Sequence, residues 1–326
     1  MTLPGTTTAP TRRLPAPPRP VLRRIACLLP VALVVLWSAG NWAVITDGLG
    51  QLRAADRGWL LAAALTTGLC WVAVCFARQG TVLEPLPAGR LLATQFAAGA
   101  ANDLLPAGLG AHLVTLRFYR RCGVPLARAT ASLALYSLAL PLGRLVLLLA
   151  LLALTPGALR PGAALPAGRG LLMTVLVLAA LALVLTVLLT VRPLRGALRG
   201  FLRTALTDAR ALHARPARTA ALWGGALAFP ALQAGVLVTV ALALNAPPSC
   251  LHVAIAYLAA CAAAGFIPTP GGLGSVDAAL VVTLVAVGTP VATATAVVIG
   301  FRAITSWLPL LPGVLTLVAL FRWRVL

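Results

Sequence analysis

The chain has 326 residues, of which 60% are hydrophobic and only 10% charged, with a mean hydropathy of +0.98. This composition excludes a soluble globular domain and indicates a multi-span membrane protein. The formal charge of +20 is no nucleic-acid footprint, because its arginines gather in loops between apolar runs, and the absence of lysine removes a Walker phosphate loop and so an ATPase within the chain.

Residues 1–24 are rich in Pro, Thr and Arg, which predicts a disordered cytoplasmic tail. Arg12, Arg13, Arg19, Arg23 and Arg24 precede a first span over 25–45 and hold the N-terminus inside. From 25 to 326 the chain reads as one transmembrane domain with halves at about 25–154 and 171–322. A second span covers 58–77, and Arg78, Glu84 and Arg90 follow it on the cytoplasmic side. Residues 91–122 hold two apolar runs too short to cross, joined by Asn102-Asp103-Leu104-Leu105-Pro106-Ala107-Gly108-Leu109-Gly110. Arginines flank both ends, so the segment enters the membrane and returns.

A long span over 125–154 contains Tyr136, Pro141 and Arg144, and a Pro/Gly-rich outer loop follows at 155–169. The span 171–191 leads to the most basic loop, 192–218, which carries seven arginines against Asp208. The span 219–244 goes out, and Asn245-Ala246-Pro247-Pro248 turns it. Residues 251–267 enter again and 275–287 leave, broken by Pro268-Thr269-Pro270-Gly271-Gly272-Leu273-Gly274. Two prolines stop the helix there, and the glycines permit a tight turn. A final span over 290–321 ends at Arg322 and Arg324. The cysteines, Cys27, Cys70, Cys75, Cys122, Cys250 and Cys261, form no C-x-x-C pair and read as small core residues, so neither metal nor cofactor is implied.

The two broken segments echo each other. Pro106-Ala107-Gly108-Leu109-Gly110 matches Pro270-Gly271-Gly272-Leu273-Gly274, and residues 123–131 match 288–296 in the same order. Each half reads as span, span, hairpin, span, and an odd number of crossings inverts the second half. The predicted fold is an all-α polytopic membrane protein with about six full spans plus two re-entrant hairpins, eight or so spans in all, and an inverted internal repeat. A plain loop between two membrane helices is the alternative reading of the second tip.

The Pro268–Gly274 block with an acid at Asp277, then Arg302 and Trp307-Leu308-Pro309, resembles the flippase-like integral membrane family, which includes the transmembrane part of lysylphosphatidylglycerol synthases. Asn102, Leu105-Pro106 and Gly110 resemble that family's first motif. Two departures stand out: Asp277 replaces the family's usual Glu, and Ala111, His112 and a displaced Arg117 replace an acid and a nearby Arg. With no room for an aminoacyl-transferase domain before Leu326, the resemblance implies lipid translocation rather than lipid synthesis.

The candidate transport residues are Asp277, Arg302, Gly271, Gly272, Gly274, Asn102, Asp103, His112 and Arg144. An ionisable group in a span is costly to bury unless paired or hydrated, which makes each charge a functional candidate. Each also has a structural alternative: Asp103 as a cap, His112 as a bonded core histidine, Arg144 on a backbone carbonyl, Asp277 and Arg302 as a plain ion pair. From Asp277 to Gly288 a helix climbs about 16 Å, and from Pro290 to Arg302 it descends about 18 Å, which returns the two charges to one depth. The same arithmetic brings His112 level with Tyr136.

The expected function is translocation of a lipid or lipid-linked headgroup across the cell membrane, with Arg302 meeting a phosphate. The expected partners are membrane lipids, anionic or lipid-linked, and a second copy of the chain or a lipid synthase are open besides. A membrane enzyme acting on phosphorylated lipids and a non-transporting subunit are the rival classes; no D-D-x-x-D or H-E-x-x-H stands in the chain. Arginine placement predicts both termini and the 192–218 loop inside, with 155–169 and 245–250 outside. Single cysteines placed in these loops of intact cells test this, and labelling of 192–218 from outside would overturn the topology and the inverted repeat together.

Overall fold

The computed structural model describes residues 53–104, 109–155, 214–264 and 274–322, with Gly50 and Arg210. The predicted tail, the spans at 25–45 and 171–191, both hairpin tips, most of the 155–169 and 192–218 loops, and Gly271, Gly272 and the Asp103 side chain lie outside the described residues.

Among the described residues the fold is helical throughout, with eight helices. These are α1 (Arg57–Gly80), α2 (Ala88–Leu104), α3 (Leu109–Arg121), α4 (Leu126–Leu154), α5 (Pro216–Ala243), α6 (Cys250–Ala264) and α7 (Ser275–Ala286). Helix α8 starts as Val291–Arg302, widens into a π-helical turn at Ala303–Trp307 and continues as Leu308–Arg322. Four of them, α1, α4, α5 and α8, are long and apolar enough to cross a membrane. By contrast, α6 and α7 have 15 and 12 residues, and at 1.5 Å per residue neither reaches across a ~30 Å hydrocarbon core.

The long helices show apolar surface where a soluble protein would show charge. On α1, Leu61, Leu65, Leu69, Val72 and Phe76 recur at spacings of three and four and are exposed. On α4, Leu138, Leu142, Leu145 and Leu149 do the same. Such stripes are stable against lipid and not against water. Threonines within the helices return their hydroxyls to a carbonyl of the preceding turn, as Thr67 does to Ala63 at 2.9 Å and Thr295 to Val291 at 2.8 Å, which satisfies them without solvent.

The centre of the packing is the antiparallel pair α1 and α5. At one end the Asp56 N–H donates to the Ala243 carbonyl at 3.0 Å, and the Asp56 carboxylate caps α1 through the Gly58 N–H at 2.7 Å. At the other end Gly80 lies on the Leu222 backbone. Between them a methyl group at Gly225 would come within 2.5 Å of the Ala77 nitrogen and 2.6 Å of the Ala73 oxygen. Small residues let these backbones approach closely, which is how helices associate where lipid supplies no hydrophobic drive. The short helices pack in pairs, α2 on α3 and α6 on α7; α2 also lies on the last part of α8, and α6 lies on both α5 and α4.

Three readings need correction. The second span runs to Gly80 rather than Ala77, because Arg78 continues the helix and is only 3% exposed. Arg78 is therefore an interior residue and not a loop charge. Arg218, grouped above with the basic loop, lies in the first turn of α5 and donates to the Gln79 carbonyl at 2.9 Å and the Leu83 carbonyl at 3.1 Å.

The α1–α5 contact predicts opposite effects of one substitution at adjacent positions. Gly224→Ala meets nothing within 4 Å and should raise stability by up to about 1 kcal/mol through helix propensity. Gly225→Ala should lower it by about 1–3 kcal/mol through backbone overlap. Thermal unfolding of the purified variants checks this, and equal shifts would mean that the helices are not held by the small residues.

Candidate functional site

The break before α7 creates the site. Gly274 precedes α7 with φ +87°, a left-handed conformation that disfavours any side chain although a methyl group there would meet nothing within 4 Å. The first N–H groups of α7 have no partner in their own helix. Asp277, in the first turn, reaches back and accepts from the Gly274 N–H through Oδ2 at 3.0 Å. Its other oxygen, Oδ1, accepts from Nε of Arg302 at 2.5 Å. One carboxylate thus joins the start of α7 to the end of the first segment of α8.

This is the pairing that the helix rise predicts. The Asp277 and Arg302 side chains are 26% and 13% exposed, so the pair is largely withdrawn from solvent. Either charge alone would be costly there, and the pair with its extra backbone donor offsets much of that cost. Arg302 also stands directly before the π-helical turn, in which the Leu308 N–H reaches back five residues to Ala303. Pro309 has no N–H for the regular ladder, and the widened turn absorbs that loss.

Arg144 joins this group from α4. Its Nε is buried without a hydrogen-bond partner. Its charge acts on Tyr257 and Cys261 of α6, and Cys261 in turn lies in the fields of Arg144, Arg302 and Asp277. Tyr257 packs edge-tilted on Phe301 with ring centres 5.8 Å apart, which positions α6 beside Arg302. Three of the charged candidates, two cations and one anion, are therefore near enough to Cys261 of α6 to act on it. The local excess is positive, which suits an anionic ligand.

The other candidates lie apart from that group. His112 of α3 pairs through Nε2 with the Ser137 hydroxyl of α4 at 3.0 Å, one residue from the Tyr136 predicted to be level with it. Ser137 in turn donates to Leu133 at 2.9 Å. The separation of 25 residues is shared by His112–Ser137 and Asp277–Arg302, so a histidine–serine bridge stands at the same spacing as the charged one. Asn102 is partly buried in the last turn of α2. There Gly110 is required by space: a methyl group on it would lie 1.9 Å from the Ala101 oxygen and 3.0 Å from the Asn102 nitrogen.

Sequence reasoning passed over Arg78. Its guanidinium stacks on the Tyr136 ring at 3.5 Å from the centroid, and its Nε and Nη1 are buried without hydrogen-bond partners. No local sequence signal marks its burial, because an arginine at the end of a span is the ordinary mark of the cytoplasmic face. Among the described residues no cluster of His, Cys, Asp or Glu could hold a metal ion.

No curated relative matches the chain. The family of the lysylphosphatidylglycerol synthase TM region matches residues 24–313. The match covers every described helix up to Gly313 and includes both hairpins, Asp277, Arg302 and Arg144. A multi-pass helical protein with that match over most of its length, the chain belongs to the lysylphosphatidylglycerol synthase transmembrane-region family.

Proposed function

We propose that this protein translocates an anionic lipid or lipid-linked headgroup across the cell membrane, with both termini on the cytoplasmic side. The observation that carries this reading is the Asp277–Arg302 bridge, set among apolar helices at the start of the second limb of a broken hairpin. A phosphate would take the place of Asp277 at Arg302. The guanidinium then exchanges one anion for another and is never left bare, which keeps the barrier low. Asp277 stays tied to the Gly274 N–H during the exchange, so the carboxylate has a partner when Arg302 leaves it. The glycine-rich tips would give the headgroup a polar path while its tails remain in lipid.

An inverted repeat is part of the same proposal, and the helix packing supports it. Helices α1 and α5, the second spans of the two halves, run antiparallel, as equivalent helices must about an axis in the membrane plane. The first hairpin helix of each half packs on the last span of the other, α2 on α8 and α6 on α4, with α6 lying on α5 as well. Alternating access in secondary transporters uses broken elements at such positions, with the site near the midplane. The short lengths of α6 and α7 support re-entrant rather than crossing limbs.

Reconstituted vesicles with a headgroup-labelled anionic lipid test the proposal. Asp277→Asn and Arg302→Gln should each cost about 2 kcal/mol of stability by leaving the partner uncompensated. The double variant should regain most of that stability yet transport at least about tenfold more slowly, since the anion loses its charge-assisted contact. Wild-type transport by the double variant would overturn the reading, and release of phosphate without translocation would favour an enzyme acting on the lipid.

A further inference from the structure

We propose that Arg78 and the Tyr119 hydroxyl form a second anion site, built for the phosphate of a lipid headgroup or for free phosphate and closed in this structure by the loop 81–87. The site deepens the translocation reading above by adding a station in the other half of the fold, but its binding test does not require transport.

The argument is an accounting of charge. Arg78 is 3% exposed and always cationic. The described acids are already engaged. Glu84 holds Arg128 at 3.2 Å, Asp277 holds Arg302, and Asp56 caps the far end of α1. The Tyr136 face compensates Arg78 in part, but a cation–π contact offsets less than the cost of burying an ion. Two guanidinium nitrogens, Nε and Nη1, remain without acceptors.

The Tyr119 hydroxyl is buried close to both Arg78 and Thr81 and interacts with them, but it makes no hydrogen bond of regular geometry. Two side chains thus bring donors to one place. With Tyr136 covering a face of the guanidinium, its edge is left for a planar, two-pronged contact of the kind arginine makes with phosphate. The site is deep: Tyr136 stands ten residues into α4, about 15 Å along the helix, level with the His112–Ser137 bridge.

The loop that closes it is held by polar ties. Thr81 donates its hydroxyl to the Arg78 carbonyl at 2.8 Å, and its own carbonyl accepts from Ser132 at 2.8 Å. Arg218 grips the Gln79 and Leu83 carbonyls, and the Glu84–Arg128 bridge is half exposed. An anion at Arg78 requires this loop to lift.

The test titrates the purified full chain in detergent with inorganic phosphate, short-chain phosphatidylglycerol and the matching diacylglycerol, and reads thermal unfolding and apparent Kd. Wild type should be stabilised by phosphatidylglycerol, by phosphate, or by both, and not by diacylglycerol; the arm that responds identifies the source of the phosphate. Arg78→Gln should bind about tenfold or more weakly, while Arg90→Gln, an equal loss of charge at an exposed position, should bind as wild type does. Without added phosphate, Arg78→Gln should be at least as stable as wild type, because it removes an uncompensated charge. A variant that unfolds early or cannot be purified would assign Arg78 a structural role and overturn the proposal. Wild-type affinity in Arg78→Gln, or no response of wild type to either phosphate compound, would overturn it too. Transport that persists with unchanged binding in Arg78→Gln would refute this site alone; binding at Arg78 without any transport would refute the translocation reading alone.

Discussion

The structure depends on the close approach of α1 and α5. Lipid gives helices no hydrophobic reason to associate, so their contact rests on packing and hydrogen bonds. Gly80, Gly225, Ala73 and Ala77 supply the packing by leaving no side chain between the backbones. The Asp56–Ala243 hydrogen bond closes one end of the pair, and Arg218 ties its other end to the loop after α1. With those two helices fixed, α2 packs on the last part of α8 and α6 on α5 and α4, and the polar side chains fall into enclosed groups.

Most polar groups in the described interior follow one rule, although Gln95, Tyr119, Arg144, Gln233 and Thr289 each keep one buried atom without a hydrogen-bond partner. Threonine hydroxyls return to their own helix, Gln79 closes on Glu84 and Leu86, and Asp277 divides its two oxygens between a backbone donor and Arg302. Arg78 breaks the rule, with a full charge and unused donors in a closed space. A folded chain tolerates such a group where the missing partner is supplied from outside.

The sequence made the helical class and the position of the second break legible, because proline and glycine inside an apolar run have few other meanings. The depth of Asp277 against Arg302 was also legible, since residue count along a helix converts to distance and a single turn links the two. Burial of Arg78 was not. Whether an arginine at a helix end faces water depends on what the following loop does, and the loop after Gly80 folds back toward α4 and α5 through Ser132 and Arg218, residues 51 and 135 or more positions away. The same holds for Arg144, whose neighbours come from α6 and whose setting no local pattern encodes.

The π-helical turn in α8 has a geometric effect beyond relieving Pro309. One extra residue in a turn displaces everything after it by about 100° in azimuth. Before the turn α8 faces α7 and α5; after it the helix presents Gly313 to the Phe96 carbonyl of α2, where a methyl group would lie 2.8 Å away. The turn therefore acts as a phase shifter, letting one continuous helix show a small-residue face to each of two partners that lie in different directions. Loss of a single residue between Ala303 and Trp307 would return α8 to an unbroken α-helical phase and rotate Gly313 off α2, while leaving the Asp277–Arg302 bridge upstream of it in place.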